Sequence, residues 1–309
     1  MMQFLHKTIL TTLAAALLCV LCLSVESAMA REVSVTWQPD LEDSTIRTKA
    51  DALKSGFSQA IFDEAVALLP GTLSEARAAL LREQLDARAS GAVVGYSELG
   101  IESIQDEQGQ SIKTLKLDVN VNRSALKKLL KRLGVYYTVN EQQPFTLELV
   151  GDSYDAWDQL GQLQELTGVR VRSGASPVMT LSKEEGGVWS ARMSHDGREW
   201  SELGKDLSKV WVNAWAGFFT RPEAGASMVS GVSLVISGWY APDGPKAFQQ
   251  VLSSWEQELD SAVLAHVDML PDGLVATWRV KTLDREALSR KLDAYLAPRG
   301  LRYNFEVLP

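Results

Sequence analysis

Two histidine–aspartate pairs are the residues of this chain whose types and spacing could perform acid–base chemistry. His195 directly precedes Asp196, and His266 lies two residues before Asp268. An imidazole held by a carboxylate can act as a general base toward a nucleophile. No Gly-x-Ser-x-Gly elbow accompanies either pair, and no phosphate-binding or dinucleotide-binding motif follows a predicted strand. We therefore interpret His195 as a turn residue and His266 as an outward-facing strand residue, and we predict that the chain is not an enzyme.

Closely spaced carboxylates could serve a glycosidase or a metal site, but their positions favour solvated surfaces. They occur at Asp40, Glu42 and Asp43, at Asp106-Glu107, at Glu184-Glu185, and at Glu256, Glu258 and Asp260. A glycosidase needs two carboxylates across a cleft, which a sequence alone leaves open. The first group lacks the spacing and the glycine of a calcium loop and instead favours the N-terminus of the following helix. We predict no metal site and no cofactor.

Tryptophan is unusually frequent, and eight of the nine tryptophans follow Pro144. Most lie on the apolar stripe of a predicted helix or the inner face of a predicted strand, where they would fill a core. Residues 210–219 alternate in a two-residue period, which predicts a strand with Trp211, Asn213 and Trp215 on one face. That face is open in a sheet whose helices cover only the other side. We predict that these three residues form a contact surface, covered by another part of the chain or by an external partner.

The first 30 residues are predicted to be a cleaved signal peptide. A short basic start ending at Lys7 precedes an apolar run, and Ala28-Met-Ala30 supplies the small residues that a signal peptidase reads. Both cysteines, Cys19 and Cys22, lie in this segment, so the remaining chain can form no disulfide and no thiolate site. An uncleaved anchor is the alternative. We predict cleavage after Ala30 and a periplasmic or secreted protein.

Composition and charge exclude several classes of function. The net charge is −8, and loss of Lys7 and Glu26 with the signal leaves it unchanged. An acidic chain is poorly suited to bind nucleic acid or anionic lipid. After Ala30 no apolar stretch is long enough to form a transmembrane segment. The charged and hydrophobic fractions, 23% and 46%, are those of a folded protein, and the 279 residues after Ala30 predict two or three domains.

The rest of the chain repeats one order of predicted elements, βαββαβ. Residues 232–309 show it most clearly. Residues 145–219 follow the same order, with a helix after Asp196 and a closing strand at 210–219, and residues 31–139 fit it with an enlarged helical layer. Short linkers are predicted between these three units. The predicted fold is therefore α+β: three ferredoxin-like units, each an antiparallel four-stranded sheet with helices on one face.

One part of the chain resembles a known family. The stretch Val93-Val-Gly-Tyr-Ser, the strand Leu117-Asp-Val-Asn-Val-Asn-Arg and the helix end Leu133-Gly134 are similar to the N-terminal domain of bacterial flagellar assembly protein T and to related uncharacterised secreted proteins. The resemblance covers residues 31–139. It implies a non-catalytic role in the cell envelope, and it transfers no functional residue.

These observations together predict a non-enzymatic periplasmic protein that contributes to envelope or appendage assembly through contacts with protein partners. The alternative is a periplasmic ligand-binding protein that uses an aromatic groove between the two C-terminal units for a sugar or a peptide. An unrecognised hydrolase is the third class, and convergent carboxylates in a polar cleft would favour it.

Overall fold

A computed structural model describes most of the chain after the predicted signal peptide. The described residues are 30–39, 44–86, 91–105, 110–151, 156–184, 186–221, 230–271 and 273–307. Residues 1–29 of the predicted signal peptide and the predicted carboxylate groups at 40–43 and 106–107 lie outside them, as does most of the predicted linker at 220–225.

The described residues form eight helices and twelve strands in three sheets, which confirms the α+β class. The helices are α1 Lys49–Leu68, α2 Glu75–Asp86, α3 Arg123–Arg132, α4 Val135–Thr138, α5 Trp157–Thr167, α6 Leu207–Phe219, α7 Gly244–Ser254 and α8 Arg285–Leu296. The strands are β1 Arg31–Trp37, β2 Val93–Gln105, β3 Ser111–Val121, β4 Gln143–Val150, β5 Val169–Val171, β6 Val178–Glu184, β7 Val188–His195, β8 Arg198–Gly204, β9 Ser230–Trp239, β10 Ser261–Leu270, β11 Gly273–Thr282 and β12 Arg302–Val307.

The chain divides into two units, which we describe separately. The hairpin unit comprises the described residues up to Ala60 together with Val93–Val121, and the main unit comprises Ile61–Ala92 and the chain from Asn122 onward. The hairpin unit is a three-stranded antiparallel sheet in the order β1-β3-β2. Alternate residues of β1 and β3 are buried beside the first part of α1. Gly56 of α1 allows this close packing, because a Cβ there would lie 2.5 Å from Leu117 Cδ1.

The middle of the main unit is a five-stranded sheet in the order β5-β4-β6-β7-β8. β4 runs parallel to β5 and β6, and the remaining pairs are antiparallel. Helix α6 packs on β7 and β8 and contacts α3 and α5. Asp206 caps α6 by accepting hydrogen bonds from the N–H groups of Ser208 and Lys209 at 3.0 and 3.3 Å.

Two predictions for this part of the chain are wrong. The helix expected after Asp196 is strand β8, and the strand expected at 210–219 is helix α6. Asp196 and Gly197 both have positive φ, 49° and 73°, and they form a tight turn that folds β8 back onto β7. The residues of α6 are apolar on most sides, so a strand period and a helix period fit its sequence equally well.

The C-terminal part of the main unit is a four-stranded antiparallel sheet in the order β10-β11-β9-β12. Helices α7 and α8 cover one face, and their buried residues pack with the inward-facing residues of β9 and β11. Trp278 of β11 and Phe248 of α7 lie at the centre of this core, with ring centroids 5.4 Å apart. The order of strands and helices here is the predicted βαββαβ.

The prediction of three four-stranded units is wrong for the first two segments, whose sheets have three and five strands. Residues 135–139, a candidate for the last strand of the first unit, contain the short helix α4 instead. Gly134 begins α4 with a left-handed φ of 77°, and a Cβ there would lie 2.2 Å from the Phe219 ring. Residues 135–138 therefore enter the helical layer of the main unit, where Val135 and Tyr136 are fully buried.

A charged clamp joins α3 to the loop after α7 within the main unit. Arg123 pairs with the buried Glu64, and its Nε donates to Glu256 Oε2 at 2.7 Å. Lys127 Nζ donates to the carbonyl oxygens of Glu256 and Leu259, each at 3.1 Å. Lys131 pairs with Asp260. One face of α3 thus holds residues 256–260, which lead into β10.

No helix within the described residues has the length and apolarity that crossing a membrane requires.

We expect Trp215→Ala to lower the free energy of unfolding by about 4 kcal/mol, because it removes a fully buried ring and leaves a cavity. Trp157→Ala is the matched control, since Trp157 is 50% exposed. It should cost about 1 kcal/mol or less. Urea unfolding followed by far-UV circular dichroism measures both, and equal losses would contradict the core position of Trp215.

We expect Arg123→Met to cost about 3 kcal/mol, because the buried Glu64 loses an ion-pair partner. Arg132→Met, on the exposed side of the same helix, is the control and should change stability by about 0.5 kcal/mol or less. Chemical denaturation of both variants in the same buffer tests the difference. If only Arg132→Met lowers the free energy of unfolding, the clamp contributes nothing to stability.

Candidate functional site

The predicted contact surface at Trp211, Asn213 and Trp215 does not form on a sheet. All three residues lie on helix α6, where Trp211 and Trp215 are fully buried and Asn213 is exposed. A helix turns about 100° per residue, so it separates Asn213 from the two rings instead of aligning all three. The tryptophans are covered by the chain itself, through Phe145 of β4 at ring distances of 5.9 and 5.1 Å.

Within the described residues, most tryptophan side chains lie in cores and do not line a groove. Seven of the nine tryptophans are buried in sheet cores, and only Trp157 is half exposed. Trp200 is partly covered, because its Nε1 donates to the Ala214 carbonyl at 2.9 Å and Arg221 lies 3.8 Å above its ring. The excess of tryptophan is therefore explained by packing, and the ligand-binding alternative loses the feature that motivated it.

Strand β2 carries the apolar surface that the tryptophans do not provide. It is an edge of the three-stranded sheet, and twelve of its thirteen residues are exposed. The side chains of Val94, Leu99 and Ile104 are 66%, 55% and 62% exposed, and Tyr96 and Ile101 are exposed as well. Long edge strands of this composition are uncommon, because their unpaired backbone groups invite pairing with another chain.

Two β-bulges shape this edge. Pairing with β3 shifts between Val93 and Gly95 and again between Glu98 and Gly100, so that Val94 and Leu99 are the extra residues. A bulge bends its strand and redirects the extra side chain. Here both redirected side chains are large, apolar and among the most exposed of the strand.

The charged residues of β2 are already neutralised within the hairpin unit. Glu98 accepts a hydrogen bond from Lys49 Nζ of α1 at 2.6 Å, and Glu102 accepts one from Lys116 Nζ of β3 at 2.5 Å. The bond to Glu102 raises the pKa of Lys116. The surface that β2 leaves for a partner is therefore apolar side chains and backbone, not free charge.

Strand β10 is a second exposed edge, but part of it is occupied. Gln249 of α7 donates to the Ala262 carbonyl at 3.0 Å and accepts from the Leu264 N–H at 3.0 Å. His266 faces outward as predicted, with its Nε2 3.4 Å from Asp268 Oδ2. The β10 edge is thus shorter and partly bonded, and it also carries exposed apolar side chains at Val263, Val267 and Met269.

A hydroxyl, an imidazole and a carboxylate meet at one end of the five-stranded sheet. Val178 of β6 pairs with Ser194 of β7, and this register brings Ser176, just before β6, to the turn after β7. Ser176 Oγ lies 2.9 Å from His195 Nδ1, and His195 Nε2 lies 3.3 Å from Asp196 Oδ2. No sequence motif indicates this contact, because Ser176 precedes His195 by 19 residues.

A polar cavity of about 350 Å³ adjoins this trio. Its lining includes Val178, Ser194, Gly197 and Glu199 in addition to the three residues. The His195 ring meets Phe218 of α6 edge to face at 5.1 Å, which holds the imidazole at the sheet end. In the described part of the chain, no three His, Cys, Asp or Glu side chains are grouped as a metal site requires.

Comparison with known proteins leaves the site to be interpreted from its geometry. No family model matches the chain, and no curated protein and no solved structure is significantly similar to it.

Proposed function

We propose that strand β2 gives this chain a non-enzymatic interaction role in the bacterial cell envelope, and that the chain binds an extended segment of a protein partner along this strand. The observation that supports this most strongly is the row of exposed apolar side chains at Val94, Leu99 and Ile104 on a long edge strand. A partner strand would extend the sheet through main-chain hydrogen bonds and cover these side chains.

The chemistry of β2 favours an uncharged, apolar partner segment. Glu98 and Glu102 already have lysine partners, so a basic segment would gain little by pairing with them. Outside the two bulges, the edge-facing N–H and C=O groups of β2 offer donors and acceptors that an extended backbone can match. Apolar side chains alternating along such a backbone would meet the exposed row.

The proposed location is the periplasm or the exterior, after signal cleavage following Ala30. The basic start, the apolar run and the Ala28-Met-Ala30 end support it. The resemblance of residues 31–139 to flagellar assembly protein T supports an assembly role of the same kind. We also propose a ferredoxin-like fold for residues 232–309, supported by the β9-α7-β10-β11-α8-β12 order and an all-antiparallel sheet.

A photo-crosslinking amino acid at position 99 tests the binding surface. We expect it to capture a defined envelope protein in the source cells, and we expect the added substitutions Val94→Ser and Ile104→Ser to abolish capture. The matched control carries the same crosslinker at position 203, because Leu203 is also an exposed apolar residue of an edge strand, β8.

Capture counts as support only if it depends on β2. In the complex, hydrogen exchange of the β2 amides should be slower than in the free chain, and exchange of the β8 amides should be unchanged. The reason is that strand addition protects the edge that receives it. Equal capture from position 203, or β2 amides that still exchange rapidly in the complex, would contradict the proposal.

Mass spectrometry of the chain purified from the source cells tests the location. We expect an N-terminus at Arg31 and recovery of the chain in the periplasmic or secreted fraction. An intact Met1 in a membrane fraction would instead establish the uncleaved anchor.

A further inference from the structure

We propose that Ser176 is an activated nucleophile with His195 as its general base, and that this site hydrolyses small neutral or cationic carboxylic esters. This activity goes beyond the interaction role of β2 and rests on different residues in a different unit. It stands on the short contacts among Ser176, His195 and Asp196 and on the cavity beside them.

The contacts determine which nitrogen acts as the base. Asp196 Oδ2 lies 3.3 Å from His195 Nε2, and a carboxylate there favours the tautomer that carries its proton on Nε2. Nδ1 then presents its lone pair to Ser176 Oγ at 2.9 Å, and the hydroxyl donates to it. This is the orientation in which an imidazole can remove the hydroxyl proton.

The fold holds the trio from three directions. Ser176 is positioned by the β6–β7 pairing and by Gln143 Nε2, which donates to its carbonyl oxygen at 3.2 Å. His195 is held by its edge contact with Phe218. Asp196 has a left-handed φ of 49°, which places its carboxylate beside the neighbouring imidazole. No large movement is needed to bring these groups together.

The proposed reaction is acyl transfer to water. Ser176 Oγ forms a bond to the ester carbonyl carbon while its proton passes to His195 Nδ1. The bond to the alcohol oxygen then breaks, and the departing alkoxide takes that proton from the imidazolium. Water attacks the acyl-serine by the same proton transfer, so that ester and water yield acid and alcohol and Ser176 is restored.

The cavity limits the substrate. The cavity, about 350 Å³ in volume, is open to solvent, so its charged lining selects the substrate more than its size does. The carboxylates of Asp196 and Glu199 lie in its lining, so an anionic ester would be repelled. Asp196 is mostly exposed, and solvent weakens its effect on His195, so we expect it to matter less than the imidazole.

Hydrolysis of p-nitrophenyl acetate and labelling by a fluorophosphonate probe test the proposal on the full chain from Arg31. We expect labelling at Ser176 alone. Ser176→Ala should lower hydrolysis to the buffer rate, His195→Gln should lower it about 100-fold or more, and Asp196→Asn about tenfold. Ser201→Ala, which changes an exposed serine of β8 outside the cavity lining, should leave both readouts unchanged.

Two results would overturn it. One is hydrolysis by Ser176→Ala at the rate of the unaltered chain, and the other is absence of label from Ser176. Ser176 is exposed, so its alanine variant should keep the fold, and urea unfolding confirms this independently.

Discussion

The rest of the main unit depends on one contact, the packing of the aromatic face of α6 against the five-stranded sheet. Trp215 lies within 5.1–5.6 Å of the rings of Phe145, Phe218 and Phe219. Trp211 Nε1 donates to Thr167 Oγ1 of α5 at 3.3 Å, which ties the helical layer to the same face. Each buried ring removes a large apolar area from water, so this one helix supplies much of the driving force for closing the sheet.

The site around His195 and the edge of strand β2 both lie outside the packed cores. The packing of neighbouring elements positions them. His195 sits at the end of a strand because Phe218 and the β7–β8 turn hold it there. Strand β2 is exposed because β1, β3 and α1 bury the opposite part of its sheet and leave the edge uncovered. β10 is also an edge strand, but the Gln249 side chain forms hydrogen bonds with part of its backbone. β2 instead leaves its edge uncovered, and the extra residues of its two bulges are apolar and exposed.

Sequence periodicity predicted the elements well wherever one face of an element is polar. β3 alternates from Thr114 to Val121, and Asp284 caps α8, its carboxylate accepting from the Ala287 N–H at 2.9 Å. Periodicity predicted the wrong element at α6. A segment that is buried on most sides has apolar residues at both the strand spacing and the helix spacing. The Asp196-Gly197 dipeptide contained the missing signal, since two residues of positive φ favour a two-residue hairpin.

The sequence by itself determined the α+β class, most strand and helix positions, the acidic charge and the confinement of cysteine to the first 30 residues, because these follow from local pattern and composition. Only the tertiary structure decided that Trp211 and Trp215 are core residues, that β2 is an edge, and that Ser176 meets His195. Each of these depends on which segments become neighbours across a sheet. Strand order and register are set by the packing of the whole unit, so no local pattern contains them.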